Sequence, residues 1–518
     1  MLFARCRNES SLSSILIKLC RLQCGLKLAR VVTGMNKSLY RSIWRWHFFA
    51  GLYVVPFILM LSLTGLVMVA GPWTDAYQYG NELTLVDEPV SVQQQRSELI
   101  SADAQLATVK AAYPHLKAAQ YVPPIDHYQT SIFKMRGENF ATTLVFVNPY
   151  DGAILGDFDS SDRWYSIADG IHGSLLLGKT GDALIELSTG LTFFLILTGL
   201  YLHWPRKTGA ALKQLFTPSF AVRPKTESRS YWKALHGSLG MYSLLFLLFF
   251  SLSGMTWTGI WGQKLVQPYS GFPLEKRASS WQSDITMTHG DLNDGDLNEI
   301  PWGLEQVPLP TSNVAHADDA VEVNSAKAQK SLDEIVQQGL QLGFTLKEDA
   351  RFRIALPLKP EGVYTLMSIA SSRDVIDPRE DRTMHIDQYS GKVLADIGWD
   401  DYNMGAKTMA LTIPLHQATL GGWNIVLAVV ACIALILISV SGVIMWWQRK
   451  PSAPIQSSIT AARAAVTLGE KCLLVGCIVI AILFPVSGAA MVVFSVFELY
   501  RRYWANGLMK PGNNRSRK

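Results

Sequence analysis

The sequence is poor in charge, short of cysteine where cysteine would matter, and lacks the glycine loops that cradle nucleotides. Only 17% of its 518 residues are Asp, Glu, Lys or Arg, below the roughly 25% of an ordinary soluble protein. That scarcity argues against one large water-soluble globule. The six cysteines are Cys6, Cys20, Cys24, Cys432, Cys472 and Cys477. None falls in the two long polar stretches, so structural disulfides are excluded there, although an oxidising compartment would permit them. The last three read as small apolar membrane residues. No dinucleotide or phosphate-loop fingerprint is present. The basic links between apolar runs are too short to fold a flavin or nicotinamide domain, so any electron donor is a separate molecule. The net charge of +5 follows from topology and does not argue for nucleic acid as a partner.

What is present is apolar runs long enough to cross a bilayer, which takes about 20 residues. The expected organisation is a basic N-terminal segment (1–40), spans at 41–70, 171–207, 232–261, 416–448 and 469–500, and a basic tail (501–518). Polar modules fill 71–170 and 262–415, and short links fill 208–231 and 449–468. The N-terminal segment reads either as a targeting segment or as an over-long start, with Met35 opening a more ordinary one. Lysine and arginine set the orientation. Arg41 and Arg45 precede the first span, seven cations from Arg206 to Lys233 face one acid (Glu227), and Arg449, Lys450 and Arg463 follow the fourth span. All three groups share one side if the N-terminus is cytoplasmic, which exports both polar modules. The basic tail (Arg501, Arg502, Lys510, Arg515, Arg517, Lys518) then falls outside and resists this arrangement. The expectation is a bacterial inner-membrane, multi-pass protein embedded in lipid.

The chain also repeats itself. WHFFAGLYVVPFILMLSLTG (46–65) and LHGSLGMYSLLFLLFFSLSG (235–254) align without a gap, superposing His47 on His236, Gly51 on Gly240, Tyr53 on Tyr242 and Gly65 on Gly254. TGLYLHWPRK (198–207) aligns with SGVIMWWQRK (441–450), and each is preceded by a histidine outside the span, His172 in IHGSLLLG and His416 in LHQATLGG. The modules share a strand–glycine turn–strand ending, VNPYDGAILGD (147–157) and IDQYSGKVLAD (386–396). Upstream of each lies a helical stretch, about 101–112 and 328–342. The fold class is therefore a membrane α-helical bundle of about five spans with two exported α+β modules, built by duplicating a span–module–span unit. The second copy carries a long insertion at about 271–325. The fifth span ends in FPVSG (484–488), with Glu470 where a third copy would need histidine.

The duplication places four imidazoles at two levels: His47 and His236 near the cytoplasmic face, His172 and His416 near the outer face. A bilayer core of about 30 Å separates them. One histidine at a helix mouth reads as an interfacial or capping group. Four at duplication-related positions, in a chain with 10 histidines, point to metal ligation, because neutral imidazole binds haem iron and bundle helices present such ligands inward. Two bis-histidine haems b would carry single electrons between the faces. Gly51 and Gly240 would make room for the macrocycles, and Arg41, Arg45 and Lys233 would meet propionates. His203 matches Trp446 in the repeat and is a lesser candidate ligand, while most of His115, His127, His289, His316 and His385, in the polar modules, are expected at the surface, where any of them is open to touching a metal substrate.

The H-x3-G-x13-G spacing of spans one and three, the HGSLLLG and TGLYLHWPRK signatures and the NPYDGAIL ending resemble the PepSY-associated transmembrane helix family. That family comprises iron-regulated or iron-uptake-associated membrane proteins, and the resemblance covers about 40–500. It implies PepSY-like exported modules and, for the ferric-siderophore reductases among its members, haem b held by His47, His172, His236 and His416. Glu470 and Trp446 depart from the pattern and leave span five without an inferred ligand role. The implied partners are a ferric siderophore or another ferric chelate, and a donor that is quinol or a soluble reductase. Loops 121–128 and 271–316 are candidates for touching the chelate. Two rival functions stand beside this one: a peptide- or protein-binding module on membrane anchors with structural histidines, and a transporter using the histidines for protons or metal.

Overall fold

The computed structural model describes residues 37–80, 83–84, 99–126, 128–137, 141–204, 228–269, 288–292, 300–312, 329–347, 349–448 and 468–508. The N-terminal segment, most of both basic links, most of the 271–325 insertion and the last tail residues lie outside these, as do His127 and His316. Two compact units are present: Met1–Leu59, Leu184–Ser251 and Ala434–Lys518 form one, and Met60–Ala183 and Leu252–Ile433 the other.

Three unbroken helices are long and apolar enough to cross a membrane: α1 (Lys37–Val69), α5 (Lys179–His203) and α10 (Gly422–Trp447). On α10, Val426, Val430, Ile433, Leu437 and Val440 recur every three or four residues and are all exposed, while Ala428, Ala431 and Ser441 are buried. A helix that turns its large apolar side chains outward and its small ones inward is built for lipid. Short helices lie between α1 and α5: α2 (Gly71–Tyr79), α3 (Ala102–Ala112) and α4 (Trp164–Ser174). The expected third span is a bent pair, α6 (Arg229–Tyr242) and α7 (Leu244–Met255), meeting at 59°. The break falls at Ser243, three residues after Gly240, the kind of small-residue site where helices kink. The expected fifth span is likewise divided, into α11 (Leu468–Leu483) and α12 (Pro485–Leu508). Pro485 lacks an N–H and its ring clashes with the carbonyl four residues back, which ends the first helix. Between α7 and α10 lie α8 (Leu332–Gln341) and α9 (Met404–Gln417).

The sheet belongs wholly to the second unit. Its strands are β1 (Lys117–Val122), β2 (Ser131–Arg136), β3 (Thr142–Val147), β4 (Ile154–Asp159), β5 (Arg353–Ala355), β6 (Val363–Ser368), β7 (Arg382–Asp387) and β8 (Val393–Gly398). Their order is β4-β3-β2-β1-β5-β6-β7-β8, antiparallel throughout. Two four-stranded meanders thus share one sheet, joined where Gln120 and Tyr121 of β1 pair with Ala355 and Ile354 of β5. The hairpins expected at 147–157 and 386–396 are the β3–β4 and β7–β8 turns, closed by Gly152 (φ 75°) and Gly391 (φ 71°), a conformation that favours glycine.

Helices α3 and α8 cover one face, packing Leu106, Val109, Leu332 and Ile335 on Phe133, Val145, Leu366 and Ile386. They cap each other. Asp103 accepts hydrogen bonds from the amides of Leu332 and Asp333 (both 2.9 Å), and Asp333 accepts from those of Ala102 (2.8 Å) and Asp103 (3.2 Å). Each carboxylate sits on the positive end of the other helix. The opposite face packs Ala355, Met367 and Ile397 against Ile300, Leu304, Val307, Tyr402 and Ala406. Strand alternation sends Met384 and Ile386 to the first face and His385 between them to the second.

Candidate functional site

His172 sits two residues before the end of α4 and His416 one residue before the end of α9. Both helices finish on a non-glycine residue in the left-handed region, Leu175 (φ 53°) and Ala418 (φ 59°). Such backbone costs free energy and persists where its surroundings enforce it. The two rings face each other with centroids 6.4 Å apart and planes at 89°. Thr64 Oγ1 lies 2.9 Å from His172 Nδ1, and Ser253 Oγ 2.7 Å from His416 Nδ1. Trp257 stands edge-on to His416 at 5.4 Å.

The other two imidazoles belong to the first unit. His47 Nδ1 lies 2.9 Å from Thr198 Oγ1. His236 Nδ1 lies 3.0 Å from Ser441 Oγ and 3.1 Å from the Ile438 carbonyl. The His47 and His236 rings are within electrostatic reach of each other. His203, the last residue of α5, packs on the helix that carries His236: a methyl group on Gly237 would stand 2.8 Å from its Nδ1. It therefore joins the His47–His236 level, beside the pair.

One rule covers all four. Each imidazole meets a hydroxyl followed by glycine on a neighbouring span: Thr64–Gly65, Thr198–Gly199, Ser253–Gly254 and Ser441–Gly442. A methyl added to these glycines would stand 3.9 Å from His172 Cε1, 3.2 Å from His47 Cε1, 3.5 Å from His416 Cε1 and 3.5 Å from His236 Cε1. Glycine admits the ring and the hydroxyl holds it. The hydroxyl protons are already committed, Thr64 to the Met60 carbonyl (2.8 Å), Thr198 to Phe194 (2.7 Å) and Ser441 to Ile438 (2.7 Å). Those oxygens must therefore accept, and Nδ1 of His172, His47 and His236 carries the proton. That tautomer turns a lone pair out at Nε2, the form in which histidine binds metal, its other nitrogen held by a hydrogen bond.

The donor set fits a haem. Among the described residues no three His, Cys, Asp or Glu side chains gather to hold a bare metal ion. Paired imidazoles supply two axial positions, which is what iron already held in a macrocycle requires. With metal–nitrogen bonds of roughly 2 Å, two imidazoles on one metal have centroids about 6 Å apart, matching the His172–His416 spacing. Next to His47, Trp46 Nε1 is a buried donor with no hydrogen-bond partner.

The sequence showed the four histidines but not the hydroxyls. The signal was in plain view in LSLTG, FSLSG, TGLY and SGVI, where it marked only the repeat. Ser487–Gly488 of α12 repeats the dipeptide, and here Ser487 donates to the Leu187 carbonyl at 3.1 Å and packs on Gly190. Gly51 and Gly240 do not face the imidazoles. A methyl there would meet Leu195 at 3.9 Å and Ile438 at 3.4 Å, so they are helix-packing positions. Arg45 pairs with Glu498 at 3.1 Å.

His115 is exposed, as expected, but His289 and His385 are fully buried. They join at Nε2–Nε2, 2.9 Å apart, with His289 Nδ1 2.7 Å from the Val307 carbonyl and His385 Nδ1 2.9 Å from Thr365 Oγ1. Since a carbonyl only accepts, His289 donates from Nδ1, His385 donates from Nε2, and Thr365 donates to His385. This chain ties residues 288–292 and 307 to the sheet.

Outward apolar helices and paired, hydroxyl-held imidazoles define a multi-span membrane protein with an extramembrane antiparallel sheet. The chain belongs to a known family of that class: the model of the PepSY-associated TM region matches residues 44–449. No curated protein matches it.

Proposed function

We propose that this protein is a haem b-containing membrane reductase that passes single electrons across the bilayer to ferric iron in a chelate, a ferric siderophore or a related compound, during iron acquisition. The observation that carries this reading is the His172–His416 pair, 6.4 Å apart with perpendicular planes and with each Nδ1 held by a hydroxyl. Bound haem supplies reversible one-electron chemistry whose potential its axial ligands set. The chain's residues do the rest. Thr64, Thr198, Ser253 and Ser441 orient the imidazoles, and apolar span surfaces keep water from the site. A haem held by His47 and His236 would accept electrons from a separate donor, quinol or a soluble reductase. One held by His172 and His416 would pass them to Fe(III) beside the sheet, where reduction to Fe(II) would weaken its hard-oxygen ligation and release it for uptake.

A dithionite-reduced absorption spectrum of the purified protein tests this directly. A b-type band with about two haems per chain is expected. His172→Ala and His416→Ala should each remove one haem while the protein stays in the membrane. If both variants keep their full complement, the ligand assignment is wrong. A colourless preparation from haem-replete cells returns the protein to peptide binding or to proton- or metal-linked transport.

A further inference from the structure

Beneath the second face of the sheet, against α9, lies a cavity of about 30 Å3 whose wall includes Trp257, Trp302, Glu305, Asp381, Tyr402 and Gln417. That volume holds about two water molecules. Its lining is mostly apolar, yet four groups able to carry or accept a proton, Glu305, Asp381, Tyr402 and Gln417, stand on it. Asp381 is 3% exposed and one of its oxygens accepts from the Ala370 amide at 2.8 Å. Tyr402 is 4% exposed, and its buried hydroxyl has no hydrogen-bond partner among the described residues. The buried Gln417 Oε1 has none either. An unsatisfied buried polar group costs about 1–3 kcal/mol, so two on one small cavity with a buried carboxyl call for water. The cavity is linked to His416 through two of its lining residues: Gln417 follows His416 in α9, and Trp257 lies edge-on to the His416 ring.

We propose that this cavity is a proton site serving the His172–His416 pair, with Asp381 holding the proton and Tyr402, Gln417 and enclosed water relaying it. The proposal rests on the redox reading above. At pH near and above 8, where Asp381 is ionised before reduction, the gain of one electron at the site is accompanied by uptake of one proton from bulk solvent, which the cavity water passes to the Asp381 carboxylate. When that electron passes to the ferric acceptor, the proton is released, so each turn is balanced in charge. Charges in a low-dielectric interior interact strongly enough to couple the two events. The groups facing Asp381 favour the role. Burial, with Asp374 and Asp377 adding to it and the Ala370 amide opposing, pushes its carboxyl up to about 8. Glu305, on the same cavity, is also raised by burial, against the pull of its hydrogen bond from Gln267. Burial, with Asp381 and Asp401 adding, holds the Tyr402 hydroxyl well above its ordinary range, as a neutral donor.

The test uses the full chain in detergent. Infrared spectra at neutral pH, compared in H2O and D2O, should show an exchangeable carboxylic-acid carbonyl band that Asp381→Asn removes. Tyr402→Phe, which keeps the ring, should shift that band. The midpoint potential of the haem that His416→Ala removes should fall as pH rises from 7 to 9, and Asp381→Asn should lose at least half of that dependence at unchanged haem content. A native protein without the band, a band indifferent to both substitutions, or an undiminished pH dependence in Asp381→Asn overturns the proposal. A colourless protein instead overturns the redox reading and the coupling with it, and the infrared band then shows whether the cavity still holds a proton.

Discussion

At the scale of single residues, the imidazole and its hydroxyl are one unit. Histidine at the mouth of an apolar run was legible because the chain has so few histidines and repeats them in register. The hydroxyl was not, because Ser or Thr before Gly is ordinary composition for packed membrane helices, and nothing local says which ring it will meet. Removing the Thr198 hydroxyl separates the two roles. Thr198→Val keeps the shape but leaves the His47 Nδ1–H facing methyl groups, with its acceptor 2.9 Å away gone. Losing an outer-shell partner of this kind costs 10–100-fold in metal affinity. Haem occupancy on dilution should fall by about that factor at the His47 level, while Thr198→Ser restores it. Unchanged occupancy in Thr198→Val would make the hydroxyl a helix-packing group only.

At the scale of elements, local patterns were readable and long-range joins were not. Periodicity and a glycine turn announced α3 and the two hairpins within a residue or two, and α8 with its start four residues early. The β1–β5 pairing that fuses the meanders brings together residues over 230 positions apart, and a strand edge carries no mark of its distant partner. The breaks at Ser243 and before Pro485 were hidden inside apolar runs that composition alone reads as continuous. The burial of His385 was not legible because a lone histidine between Met384 and Ile386 looks like the solvent side of an alternating strand, whereas His289, Ile300, Leu304 and Val307 cover that side. Its burial has a consequence for stability. Burial, with His289 adding, holds the His385 imidazole well below the ordinary histidine range, so it stays neutral in the native state. The unfolded chain gains a proton there below about pH 6.5. The resulting stability is therefore present above that pH and falls with acidification by up to about 1.4 kcal/mol per unit. Thermal unfolding followed between pH 7 and 5 should show this decline, and His385→Gln, which keeps a donor toward His289, should flatten it. A slope that survives the substitution would assign the acid sensitivity elsewhere.

At the scale of the whole molecule, the proposed function depends on which side of the membrane carries the sheet. Three basic clusters, before span one and in both links, stand against a single acid, Glu227, in the longer link, and short basic segments stay on the cytoplasmic side. By that rule the sheet and the His172–His416 pair are expected on the far side. Ser390, exposed in the β7–β8 turn, and Ser230, exposed at the start of α6, are suitable reporters. Each is replaced by cysteine in a chain whose six native cysteines have been changed to serine or alanine. A membrane-impermeant maleimide should label Ser390→Cys in intact cells and Ser230→Cys only after lysis. The reverse pattern would put the sheet in the cytoplasm, where chelated ferric iron could be reduced without crossing a membrane, and two haem levels would have no electron to carry outward.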